Sequence, residues 1–313
     1  AVGSQTLFRL AYYGDILPNT YYLKMTGYPL LARLSRGLLV LIDFIGNFNA
    51  LLVLFPILYV FQKRNDTGAN LLLLLVACQM GYSIYVGGDA WEWLKFANRY
   101  ISIAMPLLLI LLSLMLAGLI EPKREEGTPQ LSRRQKTCLT YSLLVASLLA
   151  VNGVTNADGL RQFFLISLPL SVPDNENMAN DAAHLTQITR KEATVATVWA
   201  GAPAYYADRR MIDLLGKCDR TIAHQPAHLP FGLALYYEFF PGHTKWDYAY
   251  SIGKLQPDVV FQLWKDKEEA LPILRRNYIK IQFERGEPMY LRKGSPNVLW
   301  ADLATMKAYT SDF

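Results

Sequence analysis

The run LLVLIDFIGNFNALLVLFPILYVF, residues 38–61, decides which class of protein this is. Its only charged side chain is that of Asp43. In a helix that rises 1.5 Å per residue, the run would extend about 36 Å, which exceeds the roughly 30 Å hydrocarbon core of a bilayer. The run therefore predicts a membrane-spanning helix.

Three further apolar segments reach or approach the length of a span. They lie at residues 69–86, 104–120 and 139–155, and the last two are short. Another apolar run, residues 163–170, is too brief to cross a bilayer and ends near prolines, which favours an interfacial or buried helix. The sequence thus predicts about four transmembrane helices.

The composition of the chain changes near residue 155. Over all 313 residues, 52% are hydrophobic and the mean hydropathy is +0.14, yet the residues beyond 155 have the mixed composition of a globular domain. We therefore expect an α-helical multi-pass membrane domain followed by a mixed α/β domain. The expected parts are an exterior loop with a juxtamembrane helix at 1–37, a transmembrane domain at 38–155, an interfacial linker at 156–185 and a soluble domain at 186–313.

The loops between the expected spans indicate the orientation. Lys63 and Arg64 lie between the first and second spans, and five basic residues lie between the third and fourth. The positive-inside rule makes that side cytoplasmic, so the opening segment, the loop at 87–103 and the C-terminal domain are expected outside. The net charge of +5 includes no long basic run, which argues against a nucleic-acid partner.

Asp43 and Asn47 lie one helical turn apart inside the first expected span. An ionisable group there costs on the order of 2.5–3.5 kcal/mol on insertion scales, so it should face a polar cavity or a partner. Two interpretations stay open: an intramembrane polar site, or structural pairing within the helix bundle.

The segment VGGDAWEWLKFANRY, residues 86–100, follows the second expected span. Its two glycines allow a tight turn, and Asp89 can cap the helix that follows. On that helix Lys95 and Arg99 share a face, and a bound phosphate would relieve the repulsion between these two cations. The alternative is an interfacial helix with an aromatic belt and snorkelling cations.

The segment RLAYYGDILPNTYYLK, residues 9–24, precedes the membrane part. Its four tyrosines, flanking cations and breaks at Gly14 and Pro18 fit neither an amphipathic helix nor a regular strand. We expect a polar, aromatic loop on the outer face of the membrane. Taken alone, this loop would serve equally well as an aromatic interfacial anchor.

The C-terminal part carries a polar linker, strand patterns and one helical pattern. The linker is SVPDNENMANDAA, residues 171–183. The helix is expected at 265–276, and the strands are expected at 193–199, 211–215, 257–264, 278–283 and 288–293.

Histidine and cysteine usage gives no metal signature. His224 and His228 are four residues apart, but Pro226 between them argues against a helical zinc pair. His243 has no second ligand or nucleophile at a suitable spacing, which favours a structural hydrogen-bonding role. The three cysteines form no disulfide framework. No cofactor is predicted, and a divalent cation stays open.

Several of these stretches, in this order, resemble one family. Arg9, Tyr12-Tyr13-Gly14, Pro18-Asn19-Thr20-Tyr21-Tyr22 and Lys24 resemble a signature of C-type bacterial membrane glycosyltransferases, which include mycobacterial arabinofuranosyltransferases. Val86-Gly87-Gly88-Asp89, followed by a basic residue, resembles a second signature. The stretches TVWAGAPAYYADRRMIDLLGKCD, PGHTKWDY and LQPDVV are similar to the exterior domain of that family.

The resemblance implies an enzyme of the bacterial cytoplasmic membrane that transfers a sugar, at the outer face, from a polyprenyl-phosphate donor to a glycan, lipid or protein. It covers the C-terminal half of the family, so the acidic catalytic base is expected in an N-terminal half outside this chain. The implied donor-binding residues are the cations for the phosphate and the polar or aromatic groups for the pocket: Arg9, Tyr12, Tyr13, Asn19, Tyr21, Tyr22, Lys24, Asp89, Lys95 and Arg99.

A second hypothesis is a non-catalytic membrane subunit. Such a protein would keep the scaffold of the transferase in order to bind a lipid or other membrane subunits. A transporter or flippase for lipid-linked sugars is a third and weaker hypothesis, because that class needs more spans and no large exterior domain.

Overall fold

The computed structural model of the chain describes residues 2–90, 97–120, 130–169, 171–238, 240–283, 287–306 and 308–310. Within these ranges the chain is mostly helical and carries a small mixed sheet. The α-helices are α1 (Val2–Tyr13), α2 (Asn19–Met25), α3 (Leu30–Phe48), α4 (Ala50–Gln62), α5 (Thr67–Val86), α6 (Arg99–Ser102), α7 (Met105–Ile120), α8 (Gln130–Ser147), α9 (Gly153–Thr155), α10 (Ala157–Phe163), α11 (Val172–Ile188), α12 (Ala202–Ala207), α13 (Arg220–Ala223), α14 (Lys267–Asn277) and α15 (Trp300–Thr305). The strands are β1 (Thr194–Thr197), β2 (Arg210–Asp213), β3 (Val259–Val260), β4 (Tyr278–Phe283), β5 (Met289–Arg292) and β6 (Ala308–Thr310).

The chain divides into two compact units. The α/β unit comprises Ala1–Gly27, Leu168–His228 and Gly242–Phe313. The helical unit comprises Tyr28–Ser167 and Leu229–Pro241. Helices α1 and α2 therefore belong to the same unit as the sheet, and the short segment Leu229–Pro241 belongs to the same unit as the apolar helices.

The described strands of the α/β unit form one sheet in the order β2-β1-β3-β5-β4-β6. Strands β2, β1 and β3 are parallel, and β5, β4 and β6 continue the sheet in antiparallel pairings. The strands predicted from alternating or apolar runs are present, and so is the predicted helix, as α14.

Apolar side chains cover both faces of this sheet. Successive residues of a strand point to opposite faces, so Val195 and Ala196 of β1 enter different clusters. Val195 packs in the cluster that contains Leu185 of α11, whereas Ala196 packs in the cluster that contains Leu274 of α14. The sheet is thus a buried middle layer between helices.

The segment predicted as a polar linker, residues 171–183, forms most of helix α11. Pro173 in the first turn is compatible with a helix, because the first N–H groups have no intrahelical partner. Only a narrow stripe of α11, Ala182, Leu185 and Ile188, is apolar and buried in the core. A stripe this narrow leaves the average composition of the segment polar, so composition alone predicts a linker.

The helical unit contains one to three candidate membrane spans among the described residues, by length and composition. Helix α5 is long and apolar enough to cross a bilayer by itself. Two bent pairs would each add a span if taken as one: α3 with α4, and Thr137–Asn152 with α10. The apolar stretch Met105–Gly118 of α7 is shorter than a full span.

The prediction of a single helix over residues 38–61 is wrong, because the helix is interrupted at Asn49. Helices α3 and α4 meet there at a bend of 100°. Asn49 is buried with a φ of +109°, and its side-chain oxygen accepts from the backbone N–H of Leu51 and from the hydroxyl of Ser147. Its side-chain amide donates to Asn152 at 3.2 Å. These contacts cap α4 and satisfy a polar side chain inside an apolar unit.

The helix predicted at 163–170 is also wrong, because α10 ends at Phe163. Turns follow, with Leu165 at a φ of +55°, and the backbone N–H of Ile166 donates to the carbonyl of Arg161 at 2.8 Å. Pro169 lacks the N–H that a continuing helix would need. The apolar side chains at 163–166 and 168 are exposed instead of buried.

Candidate functional site

Helices α3 and α5 approach each other closely where α5 ends. A Cβ added at Gly37 of α3 would lie 2.4 Å from the backbone oxygen of Ile84, so the contact requires glycine. Gly87 caps the C-terminus of α5 with a φ of +82°, and Gly88 follows at +76°. The tight turn predicted for this glycine pair is present, and it brings Gly87 against Arg33 of α3.

Arg36 of α3 extends into this turn as a buried cation. Its guanidinium donates to the carbonyl of Gly87 and, at 3.0 Å, to the carbonyl of Asp89. The guanidinium carbon also lies 5.5 Å from the ring centre of Phe240. These contacts orient the guanidinium of Arg36.

Asp89 and Arg99, both predicted from sequence, are brought into contact. Asp89 is only 1% exposed, and its two carboxylate oxygens accept from the Nε and Nη2 of Arg99, the second at 2.5 Å. Asn98 positions Arg99 by capping α6: its side-chain oxygen accepts from the backbone N–H of Tyr100 and its amide donates to Ser83. Lys95 lies outside the described residues.

Arg33 completes what we call the arginine cluster, which consists of Arg33, Arg36, Asp89 and Arg99. Arg33 is buried, and its guanidinium carbon lies 5.1 Å from the ring centre of Tyr85. The cluster places three arginines and one carboxylate near the end of α5.

Sequence reasoning missed Arg33 and Arg36. The available signal was a pair of arginines one helical turn apart, just before the first apolar run. Cations at that position are common as flanking charges of a span. Their burial beside Gly87 depends on the contact between α3 and α5, which the local sequence does not reveal.

The opening segment, predicted as a loop, instead forms helices α1 and α2 on either side of a turn. Gly14 provides the turn with a φ of +70°, and Pro18 precedes α2. Helix α1 carries an aromatic group: the rings of Phe8 and Tyr12 stack with their centres 5.4 Å apart, and those of Tyr12 and Tyr13 meet edge to face at 4.7 Å. The breaks were recognised in the sequence, but the helices beside them were not.

Asp15 links this turn to α13 within the α/β unit. Its carboxylate accepts from the guanidinium of Arg220 at 2.5 Å and from the hydroxyl of Tyr22 at 3.2 Å. His224 lies nearby, with its Nε2 3.8 Å from Asp15 and its ring centre 4.0 Å from that of Tyr22. The hydrogen bond from Arg220 lowers the pKa of Asp15 despite partial burial. A carboxylate held in this way is a weak proton acceptor.

Lys245 fixes α2 within the α/β unit by hydrogen bonds. Its ammonium group is buried and donates to the carbonyls of Tyr22 and Ala223 and to the hydroxyl of Thr26, at 2.9, 3.0 and 3.2 Å. Burial lowers the pKa of Lys245. Three acceptors match the three donors of an ammonium group, so Lys245 is a structural clamp.

The remaining candidates of the opening segment differ in exposure. Asn19 donates to the carbonyl of Lys217 at 3.5 Å, and the stem of Lys24 lies over Gly242. Arg9 is half-buried, whereas Tyr12, Tyr13 and Tyr21 are exposed. All of these residues belong to the α/β unit, whereas Asp89 and Arg99 belong to the helical unit.

Asp43 and Asn47 pair with each other on α3. The side-chain amide of Asn47 donates to the backbone carbonyl and to the carboxylate of Asp43, at 2.8 and 3.0 Å. The carbonyl of Asn47 in turn accepts from Asn156 at 2.8 Å. Asp43 is exposed, and these contacts correspond to the structural interpretation of the pair.

Candidate cation ligands occur together in the α/β unit at one place among the described residues. A ring nitrogen of His228 and carboxylate oxygens of Asp266 and Glu269 lie within 4.8 Å of one another. The Nε2 of His228 bonds the carbonyl of Trp246, and both acids are exposed. The Nδ1 of His224 bonds the carbonyl of Arg220 and its Nε2 lies 3.8 Å from Asp15, so the two histidines have different partners.

Comparison with known proteins gives one match. Residues 173–300 match the model of a domain of unknown function (DUF8728), which runs from α11 to the start of α15 and includes β1 to β5. No curated protein and no solved structure matches the chain.

Proposed function

We propose that the chain is part of an integral membrane glycosyltransferase that binds a polyprenyl-phosphate sugar through the arginine cluster. The observation that carries the proposal is this cluster: the guanidinium groups of Arg36 and Arg99 contact the buried Asp89 at the end of α5, a helix long enough to cross a bilayer. Arg33 lies one helical turn before Arg36 on α3. The resemblance of residues 86–89 and 9–24 to signatures of C-type glycosyltransferases points the same way.

A lipid-linked phosphate fits the arginine cluster for two reasons. Several arginines at one place can bind an anionic group through charge-assisted hydrogen bonds. A polyprenyl phosphate supplies the anion at the membrane surface while its apolar chain stays in the bilayer. Guanidinium groups suit it because they present several N–H donors in a fixed plane to phosphate oxygens.

In the proposed reaction the arginine cluster stabilises the phosphate that leaves as the sugar is transferred. Negative charge develops on that phosphate, and preorganised cations stabilise it more than they stabilise the ground state. The resemblance assigns the catalytic base to an exterior loop of the family's N-terminal half. Asp15 and Asp89 are not assigned as the base, because each carboxylate is held by an arginine.

The proposal includes a topology. About four spans would place the end of α5 and the α/β domain on the outer face of a bacterial cytoplasmic membrane, with short basic loops inside. The acceptor would be a glycan, lipid or protein of the cell envelope.

The test is binding of a polyprenyl monophosphate to the protein in nanodiscs, measured by native mass spectrometry. Arg36→Gln with Arg99→Gln should weaken binding by about 10-fold or more per arginine, since a hydrogen bond to a charged group contributes about 1.5–3 kcal/mol. Arg64→Gln with Arg161→Gln is the matched control, because both arginines are exposed in the same unit. Equal affinity of the two double variants would refute the proposal.

A non-catalytic lipid-binding subunit is the second candidate. Asp15 and Asp89 are each held by an arginine and are poor bases, so a protein without a base elsewhere would bind the lipid without transferring sugar. The full-length protein, incubated with a polyprenyl-phosphate sugar and envelope acceptors, separates the two. Sugar transfer supports the enzyme, and tight lipid binding without transfer supports the subunit.

A further inference from the structure

Residues 229–241, LPFGLALYYEFFP, interrupt the α/β unit in sequence but belong to the helical unit. The stretch Gly232–Tyr236 forms a 3₁₀ helix. No charged residue occurs between Leu229 and Tyr237. An apolar excursion of this kind from an otherwise mixed α/β sequence calls for a physical reason.

The second half of this segment is fixed to the helical unit at the arginine cluster. The hydroxyl of Ser35 lies 3.4 Å from the carbonyl of Tyr236, and the ring of Phe240 lies against Arg36. Pro241 packs against Gly87, the residue that ends α5. The segment is therefore anchored at one particular level, the end of the helix that is long enough to span a bilayer.

The first half of the segment is apolar and uncovered. Phe231 is 95% exposed and Leu233 is 77% exposed. Tyr236 and Tyr237 follow, and the first charged residue is Glu238. Apolar tips followed by tyrosines and then a charge match the order of environments from hydrocarbon through the headgroup region to water.

We infer that residues 229–237 insert into the outer bilayer leaflet beside the arginine cluster, with Phe231 and Leu233 in the hydrocarbon. A bilayer is the occupant that the position favours, because a segment held at the end of a spanning helix lies at the level of the interface. The inference rests on the proposed function in one respect, namely that α5 crosses a membrane. It adds that the arginine cluster is bordered by lipid, so a lipid-borne phosphate reaches it from within the leaflet.

Site-directed spin labelling of the full chain in proteoliposomes tests the inference. Cys78, Cys138 and Cys218 are first replaced by serine, and single labels are placed at Phe231→Cys and Leu233→Cys. Leu74→Cys on α5 is the hydrocarbon reference, and Tyr205→Cys, at a residue 81% exposed in the α/β unit, is the water reference. The measured quantity is the accessibility to oxygen relative to a water-soluble nickel complex.

The ratio of oxygen accessibility to nickel-complex accessibility at positions 231 and 233 should be several-fold higher than at position 205 and should match the ratio at position 74. A ratio at 231 and 233 equal to that at 205, with a hydrocarbon value at 74, overturns the inference and leaves the proposed function standing. Low accessibility to both reagents would mean that protein covers the segment, which also overturns it. A water-like value at 74 would refute the membrane premise together with the inference.

Discussion

The two units of the protein hold their buried charged groups in different ways. In the α/β unit the buried carboxylate of Asp258 accepts hydrogen bonds from Thr194, Ser295, Asn297 and Arg292, so the chain itself satisfies it. In the helical unit the buried Arg36 donates to two backbone carbonyls, and the buried Asp89 pairs with Arg99, whose side chain is 57% exposed. A buried charge that the chain saturates holds a fold together. We therefore expect Asp258 to be structural, whereas the proposed function assigns ligand binding to the arginine cluster.

The largest stability effect is expected at Asp258. Replacing it with alanine removes an acceptor from four residues and leaves Arg292 without its carboxylate. The free energy of unfolding should fall by about 3–5 kcal/mol, the usual cost of breaking a buried ion pair. Thermal unfolding in detergent measures the change.

The control for Asp258 is an exposed pair of the same chemistry. Asp158 and Arg161 lie 3.3 Å apart with both side chains mostly exposed. Asp158→Ala should change stability by less than about 0.5 kcal/mol. Comparable losses at positions 158 and 258 would contradict the distinction between the two sites.

Acid should reveal the same carboxylate. Burial alone would raise the pKa of Asp258, but hydrogen bonds from Ser295, Thr194, Arg292 and Asn297 outweigh it and hold the pKa well below its ordinary value. A lowered pKa contributes stability above the unfolded value of about 3.9, and that contribution is lost as the pH falls further. Between pH 5 and 3 the melting temperature of the wild type should drop more steeply than that of Asp258→Asn. Parallel curves would show that Asp258 does not contribute in this way.

A smaller effect is expected at Lys245. Lys245→Met leaves three acceptors without a donor and should cost about 1–3 kcal/mol. Cleavage of residues 1–27 in limited proteolysis should also become faster, because the clamp on α2 is lost. The exposed Lys254→Met is the control and should change neither property. An intact protease pattern for Lys245→Met would argue against the clamp.

The smallest stability change is expected where the binding effect is large. Arg36→Met removes a costly buried charge but leaves two carbonyls without a donor, so the net change should stay within about 2 kcal/mol. Polyprenyl monophosphate should raise the melting temperature of the wild type and not that of Arg36→Met. A stability loss as large as that of Asp258→Ala would make Arg36 a structural residue like Asp258.

Local patterns explain how much of the fold was predictable. Helix α5 and strands β1 and β4 were predicted because an uninterrupted apolar run or an alternation fixes each of them. The break at Asn49 was not predicted, because the residues that hydrogen-bond the Asn49 side chain, Ser147 and Asn152, lie about a hundred residues away in the sequence. A polar residue inside an apolar run indicates that its side chain has hydrogen-bond partners, but the run does not show which residues they are.

The candidate site shows the same limit. Asp89 and Arg99 stand out in the sequence because they follow a glycine turn after a span. Arg33 and Arg36 looked like ordinary flanking charges, and they join the site only through the close contact of Gly37 with Ile84. The segment 229–241 carried no motif, and its place beside α3 follows from packing alone.

The most direct test of the central claim is an experimental structure of the full-length protein in a lipid bilayer with a polyprenyl monophosphate bound. The account predicts that the phosphate lies within hydrogen-bonding distance of at least two of Arg33, Arg36 and Arg99, with the chain of the lipid entering the leaflet beside Phe231. A phosphate bound elsewhere, with no hydrogen bond to any of these three guanidinium groups, would contradict the account.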